Sequence, residues 1–166
     1  MANTHFNPQE QPISDLLNDN TYIIPAYQRP YSWGSQGKSS SNDQVNQMWD
    51  DLLDAFSEKP TEIYFFGSMV TIDAGTRSYE VVDGQQRLTT LSLLFAAIKC
   101  FYLWAYKNDK IQTVDDKDEL IKDVDNNLDI LIFNKVRAAN GVRRTEKKLR
   151  IEKIDNFDYD DILKKP

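Results

Sequence analysis

The segment Asp83-Gly84-Gln85-Gln86-Arg87 gathers a carboxylate, two carboxamides and a guanidinium within one turn of chain. A short apolar run, Val81-Val82, stops at Asp83-Gly84, and a long apolar stretch starts within a few residues. A strand that ends in a glycine turn and passes into a helix can form an anion site. The first N–H groups of a helix lack partners inside it, and its dipole favours negative charge there. The fitting chemistry is a nucleotide phosphate resting on the N–H groups of residues 85–88. Gly84 would let the backbone approach the oxygens, and Arg87 would neutralise charge. Asp83 would hold Mg2+ or another divalent cation, or take a proton from attacking water. Gln85 or Gln86 would orient that water, as a glutamine does in some GTPases. The plainer reading is an Asp-Gly turn in which Asp83 caps the helix and both glutamines face solvent.

Two further constellations accompany this one. Tyr27-Gln28-Arg29-Pro30-Tyr31-Ser32-Trp33 is rich in aromatics and follows Pro25, so prolines stiffen it. Arg29 would clamp a phosphate, and Tyr27, Tyr31 or Trp33 would stack on a base. The alternative is aromatic packing on the core, with Arg29 in a surface ion pair. In Phe66-Gly67-Ser68 the Ser68 hydroxyl would reach a phosphate or sugar. The alternative there is an ordinary strand with a bulge or a close backbone approach at Gly67.

The elements that must position these groups read as a mixed α/β (α+β) domain. Residues 1–12 form a loose leader, and residues 13–166 a single domain. Ile13–Asn18 is predicted as a helical turn and Thr21–Ile24 as a short strand. Gly34–Asn42 is a flexible loop by composition. Asp43–Glu58 is an amphipathic helix, with Val45, Met48, Trp49, Leu52, Leu53 and Phe56 on one face and Ser41 or Asn42 as its cap. Glu62–Ile72 and Arg77–Val82 are strands of a β-hairpin that turns at Asp73–Thr76. Gln85 to about Tyr106 is a long helix buried in the core. Lys99 in its middle argues against a membrane span, although its length would suffice. Asp116–Phe133 is a further helix, with Asp116 and Glu119 as a capping pair. Asn134–Thr145 is a basic loop and Lys148–Ile154 a strand. Tyr159–Lys165 reads as the first turns of a helix, so the expectation is an N-terminal fragment of a longer protein.

Composition limits the chemistry. The chain has 166 residues, 40% of them hydrophobic, with one cysteine (Cys100) and one histidine (His5). An internal disulfide is excluded, and a Cys/His zinc site or a Ser-His or Cys-His triad is not expected. Residues 1–20 are polar, unlike a signal peptide, so the expected location is cytoplasmic, with no membrane partner. A net charge of −6 argues against a general nucleic-acid coat. Basic residues nevertheless crowd into one stretch: Lys135, Arg137, Arg143, Arg144, Lys147, Lys148, Arg150 and Lys153, against Glu146 and Glu152. That stretch is either a solvated surface or a patch facing phosphates.

Taken together, Ile24-Pro25-x-Tyr27-Gln28-Arg29-Pro30-Tyr31-x-Trp33, Tyr64-Phe65-Phe66-Gly67-Ser68 and Val82-Asp83-Gly84-Gln85-Gln86-Arg87-Leu88-Thr89-Thr90-Leu91 resemble the N-terminal domain of the GmrSD family. These are type IV, modification-dependent restriction proteins and related phage-defence proteins. The resemblance is clearest over residues 13–106, and residues 34–42 look like an insertion. It implies a ParB/sulfiredoxin-like fold, a small mixed sheet whose hairpin leads into a long helix packed by further helices. It also implies binding and hydrolysis of a nucleoside triphosphate, coupled to cleavage of modified DNA by a separate C-terminal or partner nuclease domain. On matching positions, Asp83, Gly84, Gln85, Gln86 and Arg87 would form the nucleotide site. Tyr27, Gln28 and Arg29 would line the adjoining cleft. These residues contain no nuclease motif. The alternative is a non-catalytic module that grips DNA phosphates, with the basic stretch extending the contact.

Overall fold

A computed structural model describes residues 7–33, 44–58, 63–111, 116–137, 142–152 and 159–164. The elements run α1 (Ile13–Leu17), β1 (Thr21–Ile24), α2 (Gln44–Glu58), β2 (Val70–Gly75), β3 (Ser78–Asp83), α3 (Gln85–Lys107), α4 (Lys117–Ile132), β4 (Phe133–Arg137), β5 (Arg143–Lys147), β6 (Leu149–Ile151) and α5 (Tyr159–Lys164). Helices and a mixed sheet make this an α+β fold, as expected. The main sheet has the order β2-β3-β1-β6, and β4-β5 form a separate two-stranded ribbon.

β1 lies in the centre of the sheet and pairs parallel with both β3 (Tyr22↔Tyr79) and β6 (Tyr22↔Leu149). Burial alternates along it, with Tyr22 and Ile24 turned into the core and Thr21 and Ile23 half-buried on the other face. Tyr22 and Ile24 join Leu17, Val81, Leu88, Leu91, Leu149 and Tyr159 in the core. Tyr22 keeps its hydroxyl satisfied at the Leu16 carbonyl (2.7 Å). Burial pushes its phenol up to about 12, so it donates at any ordinary pH. Tyr159 reaches Ser92 at 2.6 Å inside the same core and ties α5 to α3.

The strand expected over residues 62–72 is much shorter. β2 starts at Val70, which pairs with Asp83 at the end of β3. Beyond that pair the partner chain turns into α3, so residues 63–69 have no neighbour to complete a ladder. Gly67 at φ +105 also breaks the extended path. The hairpin turn falls on Thr76 and Arg77, both at positive φ, rather than on Asp73–Thr76. Arg77 is held there by Asp19 at 2.6 Å.

α3 is buried mainly over its first half, with Ala105 the buried residue near its end. Leu88, Thr89, Thr90, Leu91 and Ser92 are in the core, whereas Phe101 and Trp104 are more than half exposed. The uniform burial expected from its apolar composition therefore fails toward the C-terminus. By length and composition α3 could cross a membrane, but its first half packs on the sheet and its middle is ion-paired to α4. Likewise, the apolar face of α2 buries Met48 but leaves Trp49, Leu53 and Phe56 open. The proposed caps of α2 at Ser41 or Asn42 lie outside the described residues. Asp116 does cap α4, accepting from the Glu119 N–H at 2.8 Å.

α3 and α4 are clamped by Lys99, whose ammonium lies 2.9 Å from Asp125 and 2.5 Å from Asp129. Burial alone would lower the Lys99 pKa. Hydrogen bonds and charge from Asp129 and Asp125 outweigh it and hold the group above lysine's ordinary 10.5. A base stabilised in this way contributes fully below its unfolded pKa and loses the contribution as pH rises through the folded value. Lys99→Met is therefore expected to cost about 1–2 kcal/mol, less than a fully buried pair because the carboxylates are partly solvated. In urea titrations the gap from wild type should stay constant from pH 6 to 9 and narrow only above the ordinary lysine range. A gap that closes near neutrality would contradict the clamp.

Candidate functional site

Two of the sequence constellations lie side by side because β1 and β3 are parallel neighbours. The carboxyl end of β1 runs into Pro25–Trp33, and that of β3 into Asp83–Arg87. The next strand after β1 lies on one flank of the sheet, and the next sheet strand after β3 on the other. The two connections therefore cross, the one from β1 passing β3 to reach β2 and the one from β3 passing β1 to reach β6, so the segments meet because they share the carboxyl edge of neighbouring strands and not because the sheet has a topological switch point there.

The turn itself departs from the plainer reading. Gly84 is the N-cap of α3 in the left-handed region, φ +92, and, among the described residues, no side chain caps the helix. The first bond back to the turn is from Leu88 N–H to the Gly84 carbonyl, 3.0 Å. Asp83 does not bend over the helix start. Its carboxylate is 68% exposed and lies 3.8 Å from Arg87 Nη2.

The two glutamines are buried, not solvated. Gln86 Oε1 accepts from Ser32 N–H (2.8 Å) and Trp33 N–H (3.3 Å), while its Nε2 donates to the Pro30 carbonyl (3.1 Å). Gln85 Nε2 donates to the Arg29 carbonyl at 3.0 Å. In this arrangement the Gln86 oxygen already serves two donors, which is a positioning role for the 29–33 segment and leaves it no lone pair for a water. Gln28 adds a third amide latch, donating to the Val81 and Val82 carbonyls (3.2 and 2.8 Å). Tyr31 Oη meets Thr90 Oγ1 at 2.9 Å. Tyr27 and Arg29 remain outside, with Tyr27 70% exposed.

Arg87 folds under the 67–68 peptide. Its Nη2 donates to the Ser68 carbonyl, and its Nε is buried without a hydrogen-bond partner. The expected close approach at Gly67 is this one: a Cβ there would stand 3.2–3.3 Å from the guanidinium. Gly67 thus leaves room for Arg87. Ser68 enters through its backbone oxygen and not, in this arrangement, through its hydroxyl. Gly84 has a different reason from the one expected. A Cβ on it would meet Met69 Cγ at 2.6 Å, so the space that was to admit phosphate oxygens on that side holds a methionine. Met69 gave no sign in the sequence, since its position follows from the irregular 63–69 path. Among the described residues, no three His, Cys, Asp or Glu side chains converge as a metal cluster.

The family model for the GmrSD restriction endonuclease, N-terminal domain, matches residues 13–165. The chain belongs to that family. It therefore sits in a restriction, or phage-defence, context. No curated protein matches the chain. The GmrSD_N match extends well past the motif-bearing part, through the ribbon and into α5.

Proposed function

We propose that this GmrSD_N domain binds a nucleoside triphosphate at the start of α3 and hydrolyses it. The observation that carries this reading is a helix start with no side-chain cap, beside an arginine whose buried Nε–H has no acceptor. A buried unpaired donor costs about 1–3 kcal/mol, and a phosphate oxygen at the start of α3 would relieve that cost. Arg87 already offers a second donor, Nη2, which would exchange the Ser68 carbonyl for phosphate. The exposed Asp83 carboxylate stands beside both.

A single carboxylate suits Mg2+, which commonly takes one or two carboxylates and completes its shell with water and substrate phosphates. When bound, the ion would offset phosphate charge. The remaining work falls to this chain's own groups. The α3 amides and Arg87 hold the terminal phosphoryl group. Asp83 accepts the proton of a water as its oxygen bonds to the γ-phosphorus. The bond from phosphorus to the bridging oxygen breaks, releasing a diphosphate and inorganic phosphate. Tyr27 and Arg29, held in place by Gln85, Gln86 and Gln28, flank the nucleotide.

Calorimetric titration with Mg2+ and a non-hydrolysable triphosphate tests the site. Saturable binding is expected, weakened about tenfold or more in Arg87→Met, since a charged hydrogen bond contributes about 1.5–3 kcal/mol. Equal affinity in wild type and Arg87→Met would remove the arginine from the site, and with it this reading.

A further inference from the structure

The basic stretch expected as a loop is in fact a β-ribbon. β4 and β5 pair antiparallel with the register Lys135↔Thr145, Val136↔Arg144 and Arg137↔Arg143. Residues directly opposite share a face, so the alternation sorts the charges. One face carries Phe133 and Lys147 at the root, both half-buried, and then Lys135, Arg137, Arg143 and Thr145, all exposed. No acid lies on it. The other carries Asn134, Val136, Arg144 and the only acid, Glu146, which pairs with Arg144 at 2.7 Å.

Asn134 shows which face looks inward. Its Nδ2 donates to the Asn20 carbonyl (3.2 Å) and to Thr21 Oγ1 (3.0 Å), and its Oδ1 receives Lys148 Nζ at 2.7 Å. Lys148 is itself buried, and burial lowers its pKa. Its N–H donates to the Ile132 carbonyl and its carbonyl accepts from Tyr22 N–H. The ribbon root is thus fixed to the central strand, while the Lys135/Arg137/Arg143 face points away.

That outward face is costly as it stands. Like charges directly across a strand pair destabilise it, and Arg137 faces Arg143 with no carboxylate between them. An anion lying over the pair would reverse the sign. Each guanidinium can fork onto a phosphate. Five residues per strand give a ribbon roughly 17 Å long, and a two-stranded ribbon fits the roughly 12 Å major groove of duplex DNA.

We infer that the β4–β5 ribbon is a DNA-contacting arm whose Lys135, Arg137 and Arg143 meet phosphates of a duplex, with Thr145 between them. This goes beyond the triphosphate reading and does not depend on it.

The test is fluorescence anisotropy with a 20-base-pair duplex at several salt concentrations, with no nucleotide present. The triple variant Lys135→Gln/Arg137→Gln/Arg143→Gln is expected to flatten the slope of log affinity against log salt by about 2.7, or 0.9 per lost contact. Arg144→Gln, on the opposite face and already paired with Glu146, should leave the slope as it is. The triple variant should melt no lower than wild type, because it removes a repulsion; a lower melting point would mark these charges as structural. No duplex binding by wild type would overturn the assignment. So would an unchanged slope in the triple variant, an equal effect from Arg144→Gln, or charge-dependent binding to phosphatidylserine vesicles tighter than to the duplex.

Discussion

Asp83→Ala is expected to reduce triphosphate hydrolysis by about 10²-fold or more, the usual scale for losing a positioned acid–base group, with the fold left intact. The structural half follows from exposure. Among the described residues the carboxylate caps nothing, and its one ionic neighbour is Arg87 at 3.8 Å. Surface changes of this kind stay within about 0.5 kcal/mol, so thermal melts of variant and wild type should nearly coincide. The functional half follows from position. Asp83 is the last residue of β3 and directly precedes the uncapped start of α3, so its oxygens border any phosphate held there.

Asp83→Asn separates the two roles open to the carboxylate. An amide oxygen still ligates a cation weakly but cannot take a proton at neutral pH. Recovery of the Asn variant at high Mg2+ would point to cation binding, whereas a flat response would point to proton transfer. Phosphate release that is unchanged in the Ala variant would remove Asp83 from the reaction altogether.

How much of this was legible in the sequence depended on whether local pattern or long-range pairing decided each element. α2, α3 and α4 followed from helical spacing and the Asp116 cap, and β1 and β3 from short β-branched runs. The adjacency of the Tyr27–Trp33 and Asp83–Arg87 segments was not readable from spacing, since fifty positions separate even Trp33 from Asp83. It follows from β1 and β3 being parallel neighbours. The end of β2 at Val70 depended on a partner strand turning away, which no property of residues 63–69 records. The ribbon is a mixed case. Asn140-Gly141 is a turn signal, but Arg143–Lys147 has no apolar residue to alternate with its polar ones, so the stretch carries the pattern of a basic loop. The exposed Phe101 and Trp104 show that apolar periodicity marks a helix without stating which of its turns are covered.

The roles of the two glutamines turn on atoms that composition cannot assign, and Gln86→Leu tests them. Leucine is close to glutamine in volume but offers no hydrogen bond. The change would strip the Ser32 and Trp33 N–H groups of their acceptor and the Pro30 carbonyl of its donor, at a residue only 5% exposed. Buried groups left unpaired cost about 1–3 kcal/mol each. Ser32 is exposed and can turn to water, so the expected total is about 2–3 kcal/mol. Hydrogen exchange should speed up at Ser32 and Trp33, and triphosphate affinity should fall with it, because Arg29 and Tyr27 ride on the same segment. Gln86→Glu keeps an oxygen for the two N–H groups while setting a carboxylate against the Pro30 carbonyl, so slow exchange at Ser32 and Trp33 should largely return without full stability. A water-orienting glutamine predicts the reverse pattern for Gln86→Leu: turnover lost, with exchange and melting temperature unmoved. That result would return Gln86 to the reacting centre and leave the 29–33 segment to be held by Gln85, Gln28 and Tyr31 alone.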